Sequence, residues 1–210
     1  MRGDRESLEE PRRRSDGERS HRAILDAAAR LATVEGIDGL SIGGLASVTG
    51  MSKGGLYAHF GSKEKLQLET IGFAEEVFDA EVIDPAMKKE PGLPRTEALC
   101  ENFLSHIDRG VFPGGCFFAS VAAEIDTRPG PVRDRIAAFQ AGWAQLVASE
   151  LRAAKRENQL DQGADVEQLT FEINAMLAHA NAVFLLQGER KAFDLALHGI
   201  RGLLEQAVPG

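Results

Sequence analysis

The chain has 210 residues, 43% of them apolar and 27% charged, which is enough apolar material for a core and too much for a disordered chain. No apolar run approaches the ~18 residues of a membrane span, the polar start MRGDRESLEEPRRRSDGERS holds no apolar secretory segment, and Cys100 and Cys116 lack the number and spacing of a disulfide framework or zinc site. The net charge is −8, yet Arg12 to Lys65 hold nine Lys or Arg against six Asp or Glu, and Leu66 onward thirteen against twenty-two, so a basic head on an acidic body points to a polyanion partner at one end only.

Residues 1–18, with Arg12 to Arg14, read as a disordered polar tail. From Arg19 the apolar positions Ile24, Leu25, Ala28, Leu31 and Ala32 recur at helical spacing, and Gly36 stops the helix after Glu35. Ser41 is an N-cap for the short helix IGGLASVT. Gly50 supplies a turn, and Ser52 caps a second short helix, KGGLYAHF. Gly61 breaks it, and Ser62 caps the long helix KEKLQLETIGFAEEVFDAEVI. This order has the geometry of a helix-turn-helix unit. Beyond the proline-rich loop from Pro85 to Pro94, helices are predicted over 96–109, 117–126, 132–158, 165–187 and 191–206. No alternating strand pattern occurs, so the chain reads as all-α: residues 19–66 as a three-helix helix-turn-helix head, and 67–210 as a larger helical body.

The stretch SKGGLYAHF carries what a helix inserted into the major groove needs. Ser52 and Lys53 stand at its start, Gly54 and Gly55 allow close backbone approach, and Leu56 and Phe60 face the core. Tyr57 and His59 are expected to project outward. Ser41 and Lys63 begin the neighbouring helices, where hydroxyl and ammonium groups hold phosphates.

The segment from Ile24 to Leu66, and above all GMSKGGLYAHFGSKEKL, resembles the DNA-binding domain of the tetracycline-repressor family of bacterial transcription regulators. The resemblance implies a homodimer of Ω-shaped, all-helical subunits that binds a roughly palindromic double-stranded operator. Ser41, Ser52, Lys53, Gly54, Tyr57, His59 and Lys63 match the positions where relatives touch DNA. Gly55 departs, since many relatives carry a larger residue there. The implied protein is a cytoplasmic, ligand-responsive regulator of repressor type, not an enzyme, with no cofactor and no membrane partner.

The last two helices are apolar over a wide arc, so Leu169, Ile173, Met176, Ala180, Phe184, Leu197, Ile200 and Leu204 are expected to meet a second copy. Phe73, Val77, Phe103, Ile107, Cys116, Phe117, Phe118, Val121 and Trp143 are expected to enclose an apolar effector cavity, with Glu124 and Asp126 as a polar end. Cys116, in the first turn of a helix, is the candidate for an alternative, redox or electrophile sensing, because the helix dipole lowers a thiol pKa; some relatives carry a sensing cysteine in such a segment.

Overall fold

A computed structural model describes residues 9–125, 127 and 129–209, with side chains from Gly17 onward. Those residues form helices and no strand: α1 Glu9–Glu35, α2 Ile42–Thr49, α3 Lys53–Phe60, α4 Lys63–Phe78, a π-helical turn Asp79–Ile83, α5 Asp84–Ala86, α6 Leu93–Asp108, α7 Phe117–Ile125, α8 Pro131–Arg156, α9 Val166–Gln187 and α10 Lys191–Gln206.

Where stop and start signals are local, the elements fall where the sequence puts them. α2, α3 and α10 match the expected bounds, and α1 ends at Glu35. The start of α1 differs. Residues 9–18, expected as tail, are helical, because Pro11 sits in the first turn, where a missing N–H costs nothing. The side chains of Arg12 to Arg14 and the whole of residues 1–8 lie outside the described residues.

The long helix after Ser62 also differs. It is α-helical to Phe78 and then widens into the π turn. Pro85 has no N–H to offer the carbonyl four residues back and its ring would clash there, and the wider turn relieves both problems. α6 starts at Leu93, before the expected Thr96, because α8 and the loop behind it cap it. Gly92 N–H donates to Glu150 Oε2 at 3.0 Å, and Leu93 N–H donates to Gln159 Oε1 at 2.7 Å.

The head packs around the small residues Ala28, Ala29 and Ala32 of α1, which let α4 approach closely. Leu45, Leu56 and Phe60 fill the remaining space and are fully buried. Burying each such side chain contributes on the order of 2 kcal/mol. His21 pairs with Glu69 at 2.8 Å and Arg22 with Glu76 at 2.7 Å, joining α1 to α4. Arg135 and Glu75 then join α4 to α8 in the body.

α9 and α10 form an antiparallel hairpin in which Gly199 lies against Met176. Five of the eight residues expected to meet a second copy are instead consumed by the subunit's own core. Leu169, Ile173, Ala180, Ile200 and Leu204 are buried, while Met176, Phe184 and Leu197 are half-buried. The exposed large apolar residues of this hairpin are Phe171, Leu185, Leu186 and Leu195. α9 is long and apolar enough to cross a membrane by composition alone, but it carries Glu172, Asn174, His179 and Asn181 and packs one face into the body.

Candidate nucleic-acid interface and body cavity

Three successive helices of the head start on a serine cap. Ser41 Oγ accepts from Gly44 N–H at 3.0 Å, Ser52 Oγ from Gly55 N–H at 3.1 Å, and Ser62 Oγ from Lys65 N–H at 3.1 Å. Each hydroxyl keeps its own O–H to donate, and the first N–H groups of each helix are left without intrahelical partners. Such a helix start suits a phosphate oxygen. Gly50, at φ +68°, closes α2 in the left-handed region and turns the chain toward α3.

Along α3, Ser52, Lys53 and Gly54 are exposed, Tyr57 is 57% exposed, and Leu56 and Phe60 anchor the helix from behind. No acidic group pairs with Lys53 among the described residues. The two glycines are not equivalent. A Cβ on Gly55 would press on the Ser52 hydroxyl at 3.2 Å, so the cap itself favours glycine there. A Cβ on Gly54 would meet nothing within 4 Å.

His59 does not project freely. It is half-buried, with its ring 5.6 Å from that of His21. Lys63 donates to the Asp38 carbonyl, which orients its ammonium and leaves two N–H groups for another acceptor. Ala58, exposed beside Tyr57, joins this surface although nothing in its chemistry announced it.

The body holds a cavity of about 260 Å³ lined by Phe78, Phe103, Cys116, Phe118, Ala119, Phe139, Gln140, Trp143, Asn174, Leu177 and Ala178. Of the expected lining residues, Phe103, Cys116, Phe118 and Trp143 are there. Phe73, Val77, Ile107, Phe117 and Val121 are not. Ile107, Phe117 and Val121 are fully buried in the core, and Phe73 lies under the Arg22 guanidinium at 5.1 Å. Val77 is half-buried beside Phe78, whose ring takes the central place instead. Phe139 was findable, since it precedes Trp143 by one helical turn. Asn174, Leu177 and Ala178 come from α9, and no local signal connects them to the cavity.

Burial pushes the Cys116 thiol up to about 11, although backbone N–H groups of Ala119 and Phe118 act in the opposite direction. The helix start therefore works as expected but loses to desolvation, and the group is a protonated thiol at neutral pH. This weighs against sensing through a Cys116 thiolate.

His106 is buried behind Phe78, its Nδ1 has no partner, and burial lowers its pKa to about 4, with Glu81 opposing and Arg109 assisting. The unfolded chain therefore binds the extra proton first as pH falls below about 6.5, and stability should drop by about 2 kcal/mol between pH 7 and pH 5 from this group alone. His106→Leu should flatten the denaturant midpoint over that window relative to the unsubstituted chain. An equal acid loss in both would clear His106 of the effect.

Glu124, expected at the polar end of the cavity, points elsewhere. Its carboxylate accepts from Ile37 N–H at 2.7 Å and from Asp38 N–H at 3.0 Å, clasping the α1–α2 loop from α7. Gly36, at φ +82°, leaves room for it, as a Cβ there would lie 2.6 Å from the carboxylate. Asp126 lies outside the described residues. At the other end of α7, Gly114 N–H donates to Thr33 of α1 at 3.2 Å, and Cys116 N–H donates to Asn181 of α9 at 3.1 Å. The segment that lines the cavity is thus tied to the head at both ends. Glu124→Gln, which swaps one acceptor for a donor, should destabilise the protein by about 1.5 kcal/mol. An unchanged melting temperature would mean that the clasp is not made in solution.

Two family models match the chain: bacterial regulatory proteins of the tetR family over residues 24–70, and the tetracyclin repressor-like C-terminal domain over residues 92–200. The chain is 26% identical over 194 residues to the HTH-type transcriptional repressor AcnR of Corynebacterium glutamicum, covering 89% of each protein. Its fold resembles the crystal structure of a TetR transcriptional regulator from Chloroflexus aurantiacus, with a TM-score of 0.85 over 92% of this chain and 98% of that one at 23% identity. It also resembles AibR in complex with isovaleryl coenzyme A and operator DNA, with a TM-score of 0.70 over 90% and 98% of the two chains at 23% identity.

Proposed function

The chain belongs to the tetracycline-repressor family of bacterial regulatory proteins, and from that membership we propose that it is a homodimeric repressor that binds a palindromic operator and is released by a small molecule held in the body cavity. The observation that carries the DNA-binding part is the bare start of α3. Beside three serine-capped helix starts, the head exposes Lys53, which no acidic group pairs among the described residues, and a Gly54 that the fold does not need, on a chain of net charge −8. Groups that approach a phosphate backbone must be small, uncharged or cationic, and backed by free N–H donors, and this surface meets those conditions.

In this reading Ser41, Ser52, Lys53, Gly54 and Lys63 hold phosphates, and Tyr57 with Lys53 reads bases. Half-buried His59 has a lesser part. Residues 19–66 act as the head and 67–210 as the body. Each α3 enters one major groove, with half-sites about one helical turn apart in an operator of roughly 15–20 base pairs. The AibR complex, which carries both a ligand and operator DNA, supports ligand response as a property to test here. Effector binding would move α4 through Phe78 and α7 through Cys116 and Phe118. Both helices reach the head, so a small displacement changes the separation of the two α3 helices and weakens operator binding. The family is one of transcriptional regulators, and no residue is assigned a catalytic role. Its DNA target puts it in the cytoplasm.

Selection of bound sequences from random DNA by the purified protein tests the proposal. It should return a palindrome, and recovery of unrelated sequences would overturn it. Lys63→Ala should weaken binding to all sequences and reduce the salt slope by about one per subunit. An unchanged slope would remove Lys63 from the phosphate contacts.

A further inference from the structure

We propose that the body cavity selects a neutral, aromatic molecule of about two rings that carries one hydrogen-bond acceptor such as a carbonyl oxygen, an inference that rests on reading the cavity as the effector site. Size comes first. An apolar cavity of about 150 Å³ accommodates benzene, and the 260 Å³ here leaves room for a second fused ring. The aromatic character of the guest follows from the walls. Phe118 and Phe139 are stacked directly on one another, 11° apart with ring centroids 3.3 Å from each other, and Phe103 and Trp143 are stacked at 6.0 Å with 27° between their planes, so neither pair holds a guest between its rings. Phe78 meets these rings edge-on, at 69° to 90°. The five rings together give the cavity an aromatic wall, which suits the face or edge of an aromatic guest.

Charge is decided by what is missing from the wall. Among the described residues, no Asp, Glu, Lys, Arg or His lines the cavity. A carboxylate or ammonium entering the cavity would lose water with no counter-charge from these residues to replace it.

The polar requirement comes from Asn174. Trp143 Nε1–H, a donor only, lies 2.7 Å from Asn174 Oδ1, so the amide must present its oxygen to the indole. What Asn174 has left to offer the cavity is its N–H pair, which calls for an acceptor on the guest. Gln140, exposed at the mouth, can serve either role.

The test uses four naphthalenes of one skeleton on the full chain: acetylnaphthalene, ethylnaphthalene, naphthoate and naphthylmethylammonium. Binding is followed by calorimetry and by quenching of Trp143, the only tryptophan in the chain. Acetylnaphthalene should bind best, with the two charged congeners at least about tenfold weaker and ethylnaphthalene several-fold weaker. Asn174→Asp keeps an acceptor for Trp143 but removes the donors. It should erase the advantage of the ketone over the ethyl compound and turn selection toward the ammonium. Ala119→Phe, which fills the cavity, should abolish all binding at an unchanged melting temperature.

Equal or tighter binding of naphthoate or of the ammonium by the unsubstituted chain overturns the proposal. So does binding that ignores Ala119→Phe, or no binding of any congener. Operator affinity measured on the same preparation keeps the two readings apart. An operator-binding protein that takes no naphthalene loses the ligand class alone, and a protein that takes the ketone but no operator loses the regulator reading.

Discussion

Gly54→Leu should make the protein more stable and nearly abolish operator binding. Gly54 lies within α3, is exposed, and has nothing within 4 Å of where a Cβ would be. Its φ is not in the left-handed region, unlike that of Gly50 at +68°. Nothing inside the subunit therefore opposes a side chain, and replacing glycine by a good helix former should add about 0.8 kcal/mol, or roughly 2 °C in melting temperature for a chain of this size. The same side chain would stand between the helix start and whatever approaches it. If that is a phosphate backbone, affinity should fall at least about 100-fold, close to 3 kcal/mol, and the two heads of a dimer would each contribute. Melting curves and operator titration on one variant give both numbers. Unchanged operator affinity would remove Gly54 from the contact surface, and a lower melting temperature would give the glycine a structural reason not seen here.

Leu186→Glu should split the proposed dimer and, with it, tight operator binding. Leu186 is 84% exposed and Phe171 is 71% exposed, the two most exposed large apolar side chains among the described residues. Ala175, Ala178 and Ala182 lie between them along α9. Phe171, Ala175, Ala178, Ala182 and Leu186 recur at spacings of three and four, so they share one helix face. Large apolar groups at the two ends and small ones between let a second helix come close. A carboxylate at position 186 leaves the subunit core untouched, so the melting temperature of the isolated subunit should hold. Sedimentation should show monomer at concentrations where the unsubstituted chain is a dimer. Operator affinity should fall by on the order of 1,000-fold, because two linked heads bind far more tightly than one. A variant that remains dimeric would move the interface elsewhere on the body.

The dimer face also illustrates where sequence reading runs out. α9 is apolar on more than one face, and periodicity counts apolar positions without saying what covers each one. Leu169, Ile173 and Ala180 proved to be the subunit's own core, and the uncovered residues were the ones left unnamed. The cavity has the same limit. Phe103, Phe118 and Trp143 were legible as large apolar residues in the body, but so were Phe73, Ile107 and Phe117, which serve only packing or the joint to the head. Cys116 was read from its helix start, and the backbone N–H groups do favour its thiolate. Burial, which no single-helix argument contains, outweighs them.

By itself the sequence determined the all-α class, the end of α1 and the bounds of α2 and α3 in the head, and the outward placing of Lys53, Gly54 and Tyr57 on α3. Ser41, Ser52 and Ser62 cap the residues that follow them by three, and Gly50 turns the chain in place, so each decision is made within a few residues. Leu56 and Phe60 fall one turn apart, and that spacing alone sends one face of α3 inward and leaves Lys53, Gly54 and Tyr57 outside. Only the tertiary structure decided that Glu124 clasps the head, that His59 rests on His21, that Asn174 accepts from Trp143 in the cavity wall, and which face of α9 is bare. In the first three cases the partner comes from about thirty to ninety residues away in the chain. Desolvation and hydrogen-bond pairing are set by such neighbours in space, and a local pattern does not contain them.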